Sequence, residues 1–248
     1  MKNRMILGLL LVLLAVIHIP AASGDSFENP VYTQEYIAEQ EGMLSQKELY
    51  FPRFMFQENY NGDPTKPLIS KPDDGYYRYE MIRGGKQESM LAAYKDNVSG
   101  RGWGESHFNT TGSYEDFYMS IEMQMIERDD SNTGHLWFQY TDVNLVGEND
   151  RKAVTVYFPL AIRSYTTGPA GREYTTHYDL SEYKNDYQPH TIEIMRLDGY
   201  VRFYIDGHFL TGFADGFSGR FYQLYGVGLE EGGKYVTGAF DNFLLRVR

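Results

Sequence analysis

Apolar and polar positions alternate along most of the chain's second half. In FYMSIEMQMIE (117–127), Phe117, Met119, Ile121, Met123 and Met125 fall on one side and Tyr118, Ser120, Glu122 and Gln124 on the other. A repeat of two residues is that of a half-buried β-strand. HLWFQY (135–140) sets Leu136, Phe138 and Tyr140 against His135, Trp137 and Gln139. AVTVYFPL (153–160) sets Val154, Val156 and Phe158 against Thr155 and Tyr157, and TIEIMR (191–196) sets Ile192 and Ile194 against Thr191 and Glu193. Further strands are expected at 76–82, 89–95, 172–179, 221–229 and 235–247. The single helical pattern, around 34–48, is interrupted by Gly42, and glycine costs a helix interior about 1 kcal/mol.

The stretch LDGYVRFYIDGHFL (197–210) holds two Asp-Gly pairs, Asp198-Gly199 and Asp206-Gly207. Asp-Gly supplies the positive φ angles of a two-residue type I′ hairpin turn. The pairs join 191–196 to 200–205 and 200–205 to 208–213, an antiparallel meander. Many strands, tight turns and no crossover helices predict an all-β antiparallel sandwich, with a closed barrel as the competing architecture.

The N-terminus changes the picture of compartment. Lys2 and Arg4 precede an uncharged apolar run from Met5 to Ile17, then Pro20 and the small residues Ala21, Ala22, Ser23 and Gly24. That order predicts a secretory signal peptide over 1–24, since the run is shorter than the ~20 apolar residues of a membrane span. Residues 25–248 read as one domain, because the Pro/Gly clusters at 61–64 and 168–171 are loop-sized. No membrane span is expected after processing, and the location is secreted or cell envelope. There is no cysteine, hence no disulfide and no thioether-linked lipid. The formal charge of −11, from 23 basic and 34 acidic residues, disfavours nucleic acid and anionic membranes as partners.

Three segments carry a family likeness: Phe203-Tyr204-Ile205-Asp206-Gly207, Gly226-Val227-Gly228-Leu229 and Phe240-Asp241-Asn242-Phe243. Together they make residues 115–248 resemble the C-terminal half of the concanavalin A-like lectin/glucanase superfamily, which includes laminin G-like and sugar-hydrolase-associated domains. The resemblance implies a jelly-roll β-sandwich of two curved antiparallel sheets. It does not select a function, because that fold hosts lectins, hydrolases, lyases and adhesion modules.

Candidate chemistry follows from the polar sides of the strands. Glu122, Gln124, His135, Trp137, Gln139, Thr155 and Tyr157 lie opposite the apolar sets of three successive strands. If those strands are neighbours, they build one exposed face with a stacking ring, a carboxylate, amides and hydroxyls, the mixture that binds sugars. Laminarinase-type glucanases in the resembled superfamily carry E-x-D-x-x-E on one strand; here Glu122 and Glu127 match its ends and Gln124 replaces the aspartate. Simple alternation puts the two glutamates on opposite faces unless a bulge intervenes. The segment also precedes the strand where that motif belongs, so no catalytic residue is assigned.

His107, His177, His190 and His208 lack zinc-site spacing. No cofactor is required, although calcium is left open, since loop oxygens suffice for it and Asp241 resembles a calcium-linked position in some superfamily members. Asn97-Val98-Ser99 and Asn109-Thr110-Thr111 are glycosylation sequons in a host that modifies secreted proteins. The sequence therefore points to a secreted, non-catalytic carbohydrate-binding or cell-surface module whose partner is a polysaccharide or glycan. A glycoside hydrolase on the same fold and a structural adhesion or envelope protein are the alternatives. Two acids facing one cleft would favour the enzyme, an aromatic patch without them the lectin, and a flat polar face the structural role.

Overall fold

The computed structural model describes residues 27–58, 77–83, 89–96, 104–109, 112–129, 134–142, 152–169, 171–229 and 235–248. The expected signal peptide and the sequon at Asn97 lie outside them. Two helices, α1 (Gln34–Ser45) and α2 (Lys47–Tyr50), come first. The strands follow as β1 (Arg53–Glu58), β2 (Tyr77–Arg83), β3 (Ser89–Asp96), β4 (Gly104–Asn109), β5 (Phe117–Arg128), β6 (Gly134–Asp142), β7 (Lys152–Phe158) and β8 (Ala161–Gly168). They continue with β9 (Gly171–Asp179), β10 (His190–Leu197), β11 (Tyr200–Ile205), β12 (His208–Ala214), β13 (Phe221–Leu229) and β14 (Tyr235–Val247).

Two antiparallel sheets form a jelly-roll sandwich. The eight-stranded sheet runs β12-β11-β10-β5-β14-β3-β2, with β1 also on β14, and the six-stranded sheet runs β4-β13-β6-β7-β8-β9. The alternation sets the packing between them. Phe117, Met119, Ile121, Met123 and Met125 of β5, with Ile192 and Ile194 of β10, meet Leu136, Phe138 and Tyr140 of β6 and Val154, Val156 and Phe158 of β7 in one buried cluster.

Both Asp-Gly pairs form the expected turns. Asp198 and Gly199 have φ of 51° and 76°, and Asp206 and Gly207 have 53° and 81°. Leu197 then faces Tyr200, and Ile205 faces His208, across two-residue loops. In Phe240-Asp241-Asn242-Phe243, alternation alone would send the two phenylalanines to opposite faces. Asn242, at φ 53°, sits in a register shift between Asp241 and Leu244, and both Phe240 and Phe243 enter the core. The Asp241 carboxylate holds this kink by accepting from the Asn242 N–H at 2.8 Å.

Three strands escape the sequence pattern: β1, β4 and β8. In β8, Ser164, Thr166 and Thr167 dilute the apolar period, so only its pairing with β7 and β9 makes it a strand. The helical pattern at 34–48 is realised in spite of Gly42. Thr33 caps α1 by accepting from the Tyr36 N–H at 3.2 Å, and packing supplies the rest. Leu44 and Phe51 sit with Tyr118, Met195, Tyr204 and Phe209 in a second cluster on the outside of the eight-stranded sheet. Polar contacts seal it. Arg202 Nε donates to Gln40 Oε1 at 2.7 Å, Tyr204 Oη to the Gln40 carbonyl at 3.0 Å, and Arg246 Nη2 to Glu48 at 2.7 Å. No described helix is long and apolar enough to cross a membrane.

Candidate functional site

The outward face of the six-stranded sheet gathers most of the residues singled out by the sequence. Trp137 stands between Gly226 of β13 and Tyr157 of β7; Gln139 stands between Leu224 and Thr155. Trp137, Tyr157 and Leu224 form a third apolar cluster, with Leu160 and Tyr222 packed against it. Thr155 Oγ1 donates to Gln139 Oε1 at 2.9 Å, which fixes the amide beside the indole. The His135 ring meets the Tyr157 ring edge-on, 5.1 Å away at 82°. Arg163 of β8 lies 5.8 Å from the same tyrosine ring. Toward the sheet edge, Tyr165 and Tyr174 are 5.6 Å apart, with Arg172 5.1 Å over Tyr165. Gly226 and Gly228 pair with Trp137 and His135 and are themselves buried.

Two expectations need correction. Glu122 and Gln124 do not share this face. Their strand, β5, lies between β10 and β14 in the other sheet, so their outward side is the opposite surface of the sandwich. Successive strands β5 and β6 both aim apolar residues at one core, but from opposite sides of it. The remaining residues also do not form an exposed face: Trp137 is 2%, His135 3%, Gln139 4% and Tyr157 5% exposed. The outward positions are a secondary core, as their ring content favours.

On the opposite surface, Glu122 stands across from Asp241 and Thr191, and Gln124 Nε2 donates to the Tyr187 carbonyl at 2.9 Å. A bulge intervenes here. Met125 pairs with Gly238 and Glu127 with Thr237, leaving Ile126 unpaired, so Glu122 and Glu127 face outward together. Arg163, Tyr165 and Tyr174 were not foreseen, because β8 has no clear period and β9 carries no alternating apolar set. Their only signal is the aromatic–basic spacing in AIRSY and GREYT.

Among the described residues, no three His, Cys, Asp or Glu side chains group as metal ligands. Two histidines are instead held by local partners. His177 stacks on Phe213 with ring centres 3.5 Å apart, its Nε2 2.8 Å from Ser164 Oγ, and burial pushes it down to about 4. His190 Nδ1 lies 2.7 Å from Asp206 Oδ2, with Tyr183 edge-on to its ring.

The chain matches no protein-family model, and no curated protein matches it. Solved structures do resemble it. A GlcNAcα1-4Gal-releasing endo-β-galactosidase from Clostridium perfringens superposes with a TM-score of 0.55 at 10% identity, over 90% of this chain and 65% of that one. This chain thus spans less than two thirds of that protein's length. A Bacteroides ovatus mixed-linkage glucan family 16 glycoside hydrolase, solved with its product, gives 0.54 at 12% identity over 77% of this chain and 99% of that one. A β-1,3-1,4-glucanase (lichenase) derived from a mouse hindgut metagenome gives 0.50 at 13% identity, over 77% and 98%. At such identities the likeness is one of fold.

Proposed function

With the concanavalin A-like jelly roll as the fold of this chain, we propose that the protein is an extracytoplasmic, non-catalytic glycan-binding module that takes its ligand at the β8–β9 edge of the six-stranded sheet, on the exposed Tyr174 and Arg172 beside the buried Trp137–Tyr157 layer. One observation carries this reading. The outward positions of the four inner strands are Tyr222, Leu224, Gly226 and Gly228 of β13; His135, Trp137, Gln139 and Thr141 of β6; Ala153, Thr155 and Tyr157 of β7; and Ala161, Arg163, Tyr165 and Thr167 of β8. Rings, an amide, hydroxyls and a guanidinium are there, and no carboxylate stands on these four strands; on the edge strands Glu105 pairs with Gly228 and Asp179 with Ala161. Glycoside hydrolysis needs two carboxyl groups across the scissile bond, whereas sugar recognition needs a stacking surface and planar polar groups. The solved structures that share this fold include glycan-cleaving enzymes, which supports a glycan as the partner.

A glycan array and a polysaccharide-degradation screen on the full chain test this reading. Binding without product formation is the expected result, and release of reducing ends would overturn it. Glycoside hydrolysis is a second reading, favoured by the bulge at Ile126 that turns Glu122 and Glu127 outward together. Under it, Glu122→Gln abolishes turnover and leaves binding intact; under the first, Glu122→Gln changes nothing. Export rests on the N-terminal pattern, and secreted material that begins at Met1 on N-terminal sequencing would contradict it.

A further inference from the structure

At one end of the sandwich, away from the Trp137 face, lies an open cavity of about 300 Å³ lined by Arg53, Tyr114, Glu115, Asp116, Arg220 and the end of β14 at Val247 and Arg248. Its walls are set from below by a buried ion pair. Arg196 Nε donates to Asp215 Oδ2 at 2.7 Å and its Nη2 to Oδ1 at 3.2 Å, while Tyr140 Oη donates to the same carboxylate at 2.6 Å. The remaining guanidinium hydrogens reach the backbone. Nη1 donates to the Glu115 carbonyl and Nη2 to the Phe217 carbonyl, at 2.7 and 2.9 Å. The two loops that carry the cavity's lining, 114–116 and 215–220, are thereby tied to one buried side chain.

The lining's charges divide into committed and uncommitted. Asp116 accepts from the Asp198 N–H at 2.9 Å and from Arg248 Nη1 at 3.1 Å, and Arg248 also reaches Asp198 at 2.6 Å. Asp116 and Arg248 therefore neutralise one another. Arg53 and Arg220 are different: neither guanidinium has a hydrogen-bond or ion-pair partner among the described residues, and both are exposed. Glu115 is the one other charge of the lining, and with Asp198, which also holds Arg248, the three arginines and three carboxylates balance. A guanidinium presents parallel N–H donors that match the two oxygens of a carboxylate or sulfate. In a protein whose net charge is −11, a charge-balanced braced cavity with two uncommitted arginines is a local departure from the acidic surface.

We propose that this cavity is a second ligand site, which takes a small oxyanion, the carboxylate or sulfate group of an acidic sugar, between Arg53 and Arg220. It is independent of the Trp137 face. The test titrates the full chain, at low ionic strength, with sodium D-glucuronate, sodium sulfate and D-glucose, and follows backbone amide shifts. Glucuronate or sulfate should bind saturably and move the signals of Tyr114, Glu115, Asp116 and Arg220, while glucose leaves them in place. The tighter of the two anions identifies the group. Arg53→Gln with Arg220→Gln should weaken binding at least tenfold with folding unchanged, since both side chains are exposed. Trp137→Phe should leave it unaltered. Absence of saturable binding by either anion, equal binding of glucose, or equal affinity in the double variant would overturn the proposal, as would loss of anion binding in Trp137→Phe.

Discussion

The two outer surfaces of the sandwich are both buried, but they are built differently. On the eight-stranded sheet the chain covers itself: Leu44 and Phe51 come from the helical segment, and Gln40, Glu41 and Glu48 answer Arg202, the Phe209 N–H and Arg246. Apolar and polar groups there are matched across two layers. On the six-stranded sheet, Trp137, Tyr157 and Leu224 cluster, among the described residues, with Leu160 and Tyr222. Arg163 over Tyr157, and Arg172 over Tyr165, add charge to rings where a plain secondary core needs none. A surface closed by folding is completed by complementary side chains; on the six-stranded sheet the β8–β9 edge keeps an exposed ring, Tyr174, beside the guanidinium of Arg172.

The largest effect that bears on this contrast is expected at Phe51. It is fully buried beneath the helical segment, and Phe51→Ala should destabilise the protein by about 3–5 kcal/mol, read from denaturant unfolding. Amide exchange should rise over α1 and β11 and stay unchanged over β6 and β7. Equal loss of protection on both surfaces would show that they are one cooperative layer.

The second effect is set by pH, at the seam between the sheets. His177 of β9 stacks on Phe213 of β12, and burial lowers it from 6.5 to about 4. Its folded value is depressed, so the unfolded chain binds the proton first. Its contribution is whole above pH 6.5 and is lost as pH falls toward 4, by about 3 kcal/mol at most. His177→Phe keeps a ring on Phe213 and should flatten this acid-side loss, measured as urea midpoints at pH 7 and pH 4.5.

A smaller effect separates the surfaces by function. Tyr174→Ala, at the exposed edge of the six-stranded sheet, should weaken glycan binding by three- to tenfold, on the order of 1 kcal/mol. Tyr204→Phe, on the helix-covered surface, should leave affinity unchanged. Calorimetric titration of the glycan found on the array checks both, and equal losses would dissolve the contrast. The smallest effect is a gain. A Cβ at Gly42 meets nothing within 4 Å, so Gly42→Ala should stabilise by about 0.5–1 kcal/mol in thermal unfolding and leave binding alone.

Local patterns were legible wherever a strand had one face on the core. The methionine-rich run of β5 and the two Asp-Gly turns follow from period and φ alone. Sheet membership was not, because alternation fixes which side of a strand is apolar and says nothing about which layer holds the strand. β6, β7, β8 and β9 are sequential neighbours, and His135, Trp137, Gln139 and Tyr157 came together as expected. β5 pairs with β10 and β14, whose distant positions no local pattern encodes, and it took Glu122 and Gln124 to the far side. Burial of the polar side was equally illegible, since Tyr118 and Trp137 read as outward residues whether or not a second layer lies over them.

β14 pairs with β1, β3 and β5 at once, so the eight-stranded sheet is closed by a segment that the ribosome makes after all three. Contacts such as Arg246 with Glu48 span 198 positions. Loop closure over such distances must precede any reward from pairing, and proteins dominated by non-local contacts fold slowly. Until Tyr235–Val247 has been synthesised, the strand with the most regular apolar face, β5, lacks one of its two neighbours. The eight-stranded sheet therefore cannot be completed until nearly the whole chain has been translated. Until then the run of apolar residues from Phe117 to Met125 lacks its partner on one side and is open to chaperones or to aggregation.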